Sequence, residues 1–213
     1  MRRSVTLIFL AVQGVLYATF FALDLLRIPG PGVWLKYIGI LLCLTFSLLC
    51  LRSGGDGMVF PALTLTALAD VLLLITDSLY PLGVFLFLGA QTVYLIRLRL
   101  TSGKSRWLLR ATLPLLIGAV MVEVGLGTPL NLLAGLYFSQ LVVNTLLAWT
   151  TPGQRLFAIG LTLFVCCDLC VAAFNAPGLV PGGLYHFARV GMWLFYLPSQ
   201  VLIALSALPK KGT

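Results

Sequence analysis

The sequence has 213 residues, of which 60% are hydrophobic and only 9% are charged. A soluble domain carries about 25% charged residues, so most of this protein's surface must face lipid rather than water. The formal net charge of +8 does not indicate nucleic-acid binding, because the basic residues lie at the ends of apolar segments and not on one soluble face.

Eight apolar segments follow one another along the chain. In order, they cover residues 5–26, 33–51, 58–76, 80–96, 107–126, 129–149, 156–174 and 183–208. A helix needs about 20 apolar residues to cross a hydrocarbon core, whereas membrane-spanning strands alternate in character over about ten residues. The pattern therefore predicts an all-α, polytopic transmembrane bundle of about eight helices, with residues 1–213 forming a single transmembrane domain.

The first segment follows Met1-Arg2-Arg3 and lacks a small-residue cleavage site, so it is interpreted as a retained helix and not as a signal peptide. Cytoplasmic loops of membrane proteins are enriched in Lys and Arg. If the N-terminus is inside, the outer loops hold little beyond Arg27. The cytoplasmic side then holds Arg2, Arg3, Arg52, Arg97, Arg99, Lys104, Arg106, Arg110, Arg155, Lys210 and Lys211. The sequence therefore predicts a protein of the cell (inner) membrane with both termini in the cytoplasm.

The third and seventh segments share a short pattern. Leu63-Thr64-Leu65, followed after four residues by Asp70, recurs as Leu161-Thr162-Leu163, followed after four residues by Asp168. Two parallel four-helix halves, residues 1–103 and 104–213, would produce such a repeat. A chance match is the alternative, since Leu and Thr are common in this chain.

Ionisable side chains inside the apolar segments are the main candidates for function, because each costs about 2.5–3.5 kcal/mol to insert at mid-helix. They are Lys36, Asp70, Glu123, Asp168, His186 and Arg189. Asp70 and Asp168 fall at nearly the same predicted depth, about 9 Å below the outer end of their helices. Two carboxyl groups in so dry a place do not both ionise readily. We expect one to hold a proton and the other a charge, which suits acid–base catalysis.

A structural explanation competes with this one. Asp70 could pair with Lys36, and Asp168 with Arg189, as ion pairs that only hold helices together. Glu123 and His186 lie near helix ends, and these two residues and Arg189 are weaker candidates for a functional role.

No metal or organic cofactor is expected. The single histidine excludes the common His-rich zinc sites, and the GxSxG and nucleotide-binding glycine patterns do not occur. The five cysteines lie in apolar segments, where a thiol behaves as a small hydrophobic group, and the CxxC formed by Cys167 and Cys170 is interpreted as packing.

These residues resemble the YhhN-type lysoplasmalogenase family of multi-pass membrane proteins. The matching stretches span nearly the whole chain and are Trp34-Leu35-Lys36, Ala69-Asp70-Val71, Gly89-Ala90-Gln91 with Tyr94, Cys167-Asp168-Leu169, and Tyr196 with Gln200. The chain departs from the family pattern at Tyr37 (Pro in the family), Ala69 (Gly), Cys167 (Ser) and Gln91 (His). Glutamine can hydrogen-bond but cannot carry a proton, so altered activity, or none, is expected.

The resemblance implies hydrolysis of the vinyl ether bond of a lysoplasmalogen-type lysophospholipid to a fatty aldehyde and a glycerophospho-head-group. This reaction needs a proton donor and a nearby anion, and Asp70 and Asp168 would supply both without metal or cofactor. Lys36 would keep one carboxyl group ionised or meet the substrate phosphate. Tyr94, Gln91, Tyr196 and Gln200 would orient substrate or water. The expected partners are the lysophospholipid and membrane lipid, and not nucleic acid.

Two alternative functions remain open from the sequence. Buried carboxyl groups also occur in proton-coupled carriers, where they couple protons to substrate movement. A catalytically silent relative would bind the lipid without turning it over.

Overall fold

The computed structural model describes residues 3–26, 31–176 and 178–209. Within these ranges the chain forms eight helices and no strand, which confirms the predicted all-α bundle. The helices are α1 (Arg3–Leu25), α2 (Pro31–Arg52), α3 (Val59–Asp70), α4 (Tyr80–Ser102), α5 (Trp107–Glu123), α6 (Pro129–Trp149), α7 (Arg155–Phe174) and α8 (Gly182–Leu205). Four basic residues used to predict the orientation, Arg2, Arg27, Lys210 and Lys211, lie outside the described residues.

Six helices are long and apolar enough to cross a membrane, namely α1, α2, α4, α6, α7 and α8. The other two are shorter: α5 has 17 residues, and α3 with its continuation ends at Ile75. About 17 residues is the lower end of the range for a spanning helix. The protein is therefore a multi-pass membrane protein whose eight helices differ in length.

Local sequence signals set several helix ends. Thr128 caps α6, because its hydroxyl accepts a hydrogen bond from the backbone N–H of Asn131 at 3.2 Å, and Pro129 follows at the first helical position. Gly103 ends α4 at a φ of 67°, a left-handed conformation that favours glycine. Both positions fall between the apolar segments that the sequence predicted.

The core lies among α2, α3, α4, α6, α7 and α8, and α7 packs most extensively against α8. The two helices approach closely at Gly160, where an added Cβ would lie 2.9 Å from the Ile203 side chain. Small residues allow this kind of approach between membrane helices. In contrast, α5 packs only against α6 and has no fully buried residue. The interior that could hold a site is thus enclosed by the other helices.

One end of the bundle is closed by a paired charge, here called the Arg97 cluster (Arg97, Asp56, Ser206 and Phe157). Arg97 on α4 is 2% exposed and donates from Nε to Asp56 Oδ2 at 2.7 Å. Its terminal nitrogens donate to the hydroxyl and the carbonyl of Ser206 at 2.9 and 3.0 Å, and its guanidinium carbon lies 4.1 Å from the centroid of the Phe157 ring. The cluster ties the α2–α3 loop and the end of α8 to α4.

The sequence placed Arg97 and Arg110 on the cytoplasmic side. Both belong to helices, and their guanidinium groups are hydrogen-bonded to other residues of the protein.

Candidate active site

Asp70 is the last residue of α3, and a π-helical turn, Val71–Ile75, begins at the next residue. Such wide turns locally change the register of a helix and often occur at functional sites. The Asp70 side chain is 5% exposed. Its two carboxyl oxygens lie 2.8 and 3.0 Å from the hydroxyl of Tyr196 on α8, which donates a hydrogen bond to them.

Asp168 on α7 has an equivalent partner from a different helix. The hydroxyl of Tyr137 on α6 donates to Asp168 Oδ2 at 2.6 Å. Tyr137 is 7% exposed, whereas Asp168 is half-buried. Each aspartate is thus held by one tyrosine hydroxyl.

The two pairs meet around Phe164, which lies one turn before Asp168 and is 1% exposed. The centroid of its ring lies 5.5 Å from that of Tyr196 and 6.4 Å from that of Tyr137. Cys167 directly precedes Asp168 on α7 and is 5% exposed. We call Asp70, Asp168, Tyr137 and Tyr196 the carboxyl–tyrosine layer. The carboxyl groups do not hydrogen-bond each other; the aromatic residues connect them.

A second set of buried polar residues lies about one helical turn away. Thr66 precedes Asp70 by four residues on α3, and Gln200 follows Tyr196 by four residues on α8, so each is displaced by about 6 Å along its helix. These residues are fully buried, and each has a polar atom without a hydrogen-bond partner among the described residues. We call the set the polar layer; its members are Thr66, Gln91, Tyr94, Ser199 and Gln200.

The polar layer is costly for the folded protein. A buried donor or acceptor without a partner costs about 1–3 kcal/mol, and lipid offers no compensating hydrogen bonds. Thr66 lies one turn from Asp70 on α3, and Gln200 lies one turn from Tyr196 on α8, so the polar layer adjoins the carboxyl–tyrosine layer. These polar atoms are therefore available to hydrogen-bond a ligand or water beside the two carboxyl groups.

Lys36 does not reach either aspartate of the layer. Its ammonium forms an ion pair with Asp24 Oδ2 at 2.7 Å and lies 4.6 Å from the centroid of the Trp193 ring. The structural alternative raised by the sequence, Asp70 with Lys36 and Asp168 with Arg189, is therefore wrong. Lys36 pairs instead with Asp24, and its expected role toward the substrate phosphate stays a prediction.

The three weaker candidates lie elsewhere. The side chains of Glu123, His186 and Arg189 are exposed, and none takes part in a hydrogen bond or ion pair with the described residues. In contrast, Asp70, Tyr196, Gln91, Tyr94 and Gln200 are all buried in the two layers. Whether any of them is catalytic remains a prediction.

Sequence reasoning missed Tyr137, Thr66 and Ser199. Tyrosine, threonine and serine are unremarkable in a membrane helix, so none of the three carried a signal by itself. A buried phenol usually has a hydrogen-bond partner, but nothing in the sequence around Tyr137, which precedes Phe138, Ser139 and Gln140, marks it as buried. Which partner it has depends on how α6 is rotated against α7.

The described residues contain no group of three or more His, Cys, Asp and Glu side chains that could hold a metal ion. The chemistry available from the layers is that of carboxyl groups, phenols and amides. These groups can donate and accept protons, stabilise a cation and hydrogen-bond an oxygen atom.

Fold and site together define a multi-pass membrane protein with a polar interior site built on two carboxyl–tyrosine pairs. The family model of the YhhN family matches residues 32–207, so the chain belongs to that family, and the predicted resemblance is confirmed at that level. No match was found among the curated proteins, and none among the solved structures.

Proposed function

We propose that the protein is a membrane-embedded hydrolase that cleaves the vinyl ether bond of lysoplasmalogen-type lysophospholipids. The observation that carries the proposal is the pair of carboxyl groups, Asp70 and Asp168, each held by a tyrosine hydroxyl around the buried ring of Phe164. Membership of the YhhN family supports it. We further propose that the protein lies in the cell membrane with both termini in the cytoplasm.

The proposed reaction uses one aspartate as an acid and the other as an anion and base. The acid transfers its proton to the vinyl carbon remote from the ether oxygen, and the double-bond electrons form the new C–H bond. The resulting oxocarbenium ion is stabilised by the second carboxylate. Water then adds to the cationic carbon as that carboxylate takes its proton. The hemiacetal collapses to a fatty aldehyde and the free hydroxyl of the glycerophospho-head-group.

The tyrosines and the polar layer supply orientation in this proposal. Tyr137 and Tyr196 hold the two carboxyl groups toward the shared aromatic region. Gln91, Tyr94 and Gln200 provide unpartnered polar atoms for substrate oxygens or for the water that attacks. Holding reactants in place in this way lowers the entropic part of the barrier.

The test is aldehyde release from a lysoplasmalogen by the purified protein. We expect turnover by the wild type and a loss of about 10³-fold in Asp70→Asn, the scale of general acid–base catalysis. Asp77→Asn is a matched control, because Asp77 lies just beyond the same helix and is exposed. If wild type and Asp70→Asn release aldehyde equally slowly while both are folded, the hydrolase proposal is wrong.

A second candidate is a lipid-binding protein without turnover. The observation that favours it is Gln91, which stands where the family pattern has a histidine and which cannot shuttle protons. This function predicts binding of the lysolipid with no aldehyde release, and gain of turnover in Gln91→His.

A further inference from the structure

Arg110 on α5 has an unusual set of partners. It is half-buried, and its guanidinium donates to three neutral acceptors. Nε donates to the Ser105 carbonyl at 2.7 Å, Nη1 to Gln140 Oε1 at 2.9 Å, and Nη2 to Asn144 Oδ1 at 2.7 Å. The six acidic side chains all belong to the described residues, and none of them forms an ion pair with Arg110. The guanidinium group of Arg110 thus bonds two side-chain amides and no carboxylate. This pattern suggests that Arg110 orients those amides.

The orientation of Asn144 follows from chemistry. A guanidinium has donors and no acceptor, so the amide of Asn144 must turn its oxygen toward Arg110. Its nitrogen then points the other way and donates to the Gln91 backbone carbonyl at 2.8 Å and to Gln91 Oε1 at 2.9 Å. Because the backbone carbonyl can only accept, both ends of the Asn144 amide are fixed independently.

The orientation of Gln91 follows in turn. Its side-chain oxygen is occupied by Asn144, so Nε2 is the group that remains. This nitrogen is buried and has no hydrogen-bond partner among the described residues. Phe87, one turn earlier on α4, packs against Tyr137 with ring centroids 5.6 Å apart. Gln91 therefore holds an N–H donor inside the bundle, next to the carboxyl–tyrosine layer.

We propose that Arg110 and Asn144 are positioning residues that hold the side-chain nitrogen of Gln91 as a hydrogen-bond donor to a neutral oxygen at the site. This oxygen is either the glycerol hydroxyl of a bound lysolipid or another oxygen beside it. We call this arrangement the lock. This inference rests on the proposed function for the substrate class only. The polar layer contains hydroxyls and amides, while Lys36 and Arg97 are neutralised by Asp24 and Asp56. The layer therefore suits a neutral oxygen and not a phosphate.

Binding of a saturated 1-alkyl ether lysophospholipid tests the lock, because this probe has no vinyl ether to hydrolyse. In Asn144→Asp the new carboxylate still accepts from Arg110, but it cannot donate, so Gln91 must turn its nitrogen away from the site. Gln140→Glu is the matched control: it also gives Arg110 a carboxylate, one turn away on α6, and leaves the contact between Asn144 and Gln91 intact. Gln91→Glu removes the donor directly, and it carries the test if Asn144→Asp does not fold.

We expect the dissociation constant to rise at least tenfold in Asn144→Asp and Gln91→Glu and to change less than twofold in Gln140→Glu. If the rise disappears with the 2-deoxy analogue, the glycerol hydroxyl is the acceptor; if it persists, the acceptor is the ether oxygen or a water. Either result supports the lock.

Three results would overturn the inference: wild-type affinity in both Asn144→Asp and Gln91→Glu, equal weakening in Gln140→Glu, or no binding of the probe by wild type. If the variants show the expected changes in binding but the wild type does not hydrolyse a lysoplasmalogen, the proposed function is wrong and the lock still stands.

Discussion

Buried polar groups occur in two regions of the bundle, and the two are built differently. In the Arg97 cluster, the arginine is met by a carboxylate, a hydroxyl, a carbonyl and an aromatic ring. In the carboxyl–tyrosine layer, two carboxyl groups have only phenols as partners, and the adjoining polar layer contains unpartnered atoms. The first arrangement joins helices. The second lowers folding stability but leaves polar groups that can bind a ligand.

The largest expected effect comes from removing the second carboxyl group of the site. Asp168→Asn keeps the size of the side chain but can neither deliver nor accept the reacting proton. We expect a loss of about 10³-fold in kcat/KM, or about 4 kcal/mol of transition-state stabilisation, measured by aldehyde release. The double variant with Asp70→Asn should be little worse than either single variant, since residues that act as a unit are not additive. Full additivity would mean that the two aspartates do not share one reaction.

The Arg97 cluster should show the opposite behaviour. Arg97→Met leaves Asp56 unpaired and removes two hydrogen bonds to Ser206, and we expect a loss of about 3 kcal/mol of folding stability. Thermal unfolding in detergent measures it, and turnover per folded molecule should stay near that of the wild type. Arg99→Met on the same helix, where the arginine is exposed, is the control. A selective loss of turnover in Arg97→Met would contradict the division between the two regions.

The two tyrosines should differ in importance. Tyr196→Phe removes the only hydrogen-bond donor that the described residues offer to the buried Asp70, whereas Tyr137→Phe frees one oxygen of the half-buried Asp168. We expect kcat to fall about tenfold or more in Tyr196→Phe and by a smaller factor in Tyr137→Phe, because an unsatisfied buried group costs about 1–3 kcal/mol. Tyr17→Phe, which alters a phenol bonded to the Leu194 carbonyl, controls for loss of a hydroxyl. A larger effect in Tyr137→Phe would reverse the ranking of the two pairs.

The smallest effect concerns the polar layer itself. Thr66→Val replaces an unpartnered hydroxyl by a methyl group of similar shape, and we expect stability to rise by about 1 kcal/mol while lysolipid affinity falls. Thr64→Val is the matched control on α3, since that hydroxyl is already bonded to the Phe60 carbonyl at 2.9 Å. Loss of stability in Thr66→Val would show that the hydroxyl has a structural partner.

Much of the fold could be predicted because the signal is local. Six of the eight helices are continuously apolar over about the length that a bilayer requires, and Gly, Pro and Thr mark many helix ends. The same local signal located Asp70 and Asp168, because a carboxyl group among Leu, Val and Phe stands out however the helix is rotated. The π-helical turn after Asp70 left no such signal, because Val71-Leu72-Leu73-Leu74-Ile75 fits a regular helix equally well.

The pairings across helices could not be predicted. Lys36 was expected near a carboxyl group of the site and instead meets Asp24. The repeated pattern of the third and seventh segments gave no guide either, since Asp70 pairs with α8 and Asp168 with α6. The proposed halves at residues 1–103 and 104–213 stay a prediction.

By itself, the sequence determined the number and approximate bounds of the helices, the membrane environment and the two acidic residues that stand out within it. The tertiary structure decided which side chains those residues meet: Tyr196 and Tyr137 for the aspartates, and Asn144 and Arg110 behind Gln91. The physical reason is that lipid and protein interior are almost equally apolar, so hydrophobicity fixes that a helix spans the membrane but not how it is rotated. Rotation is set by packing and by hydrogen bonds between helices, and these exist only once the helices have assembled.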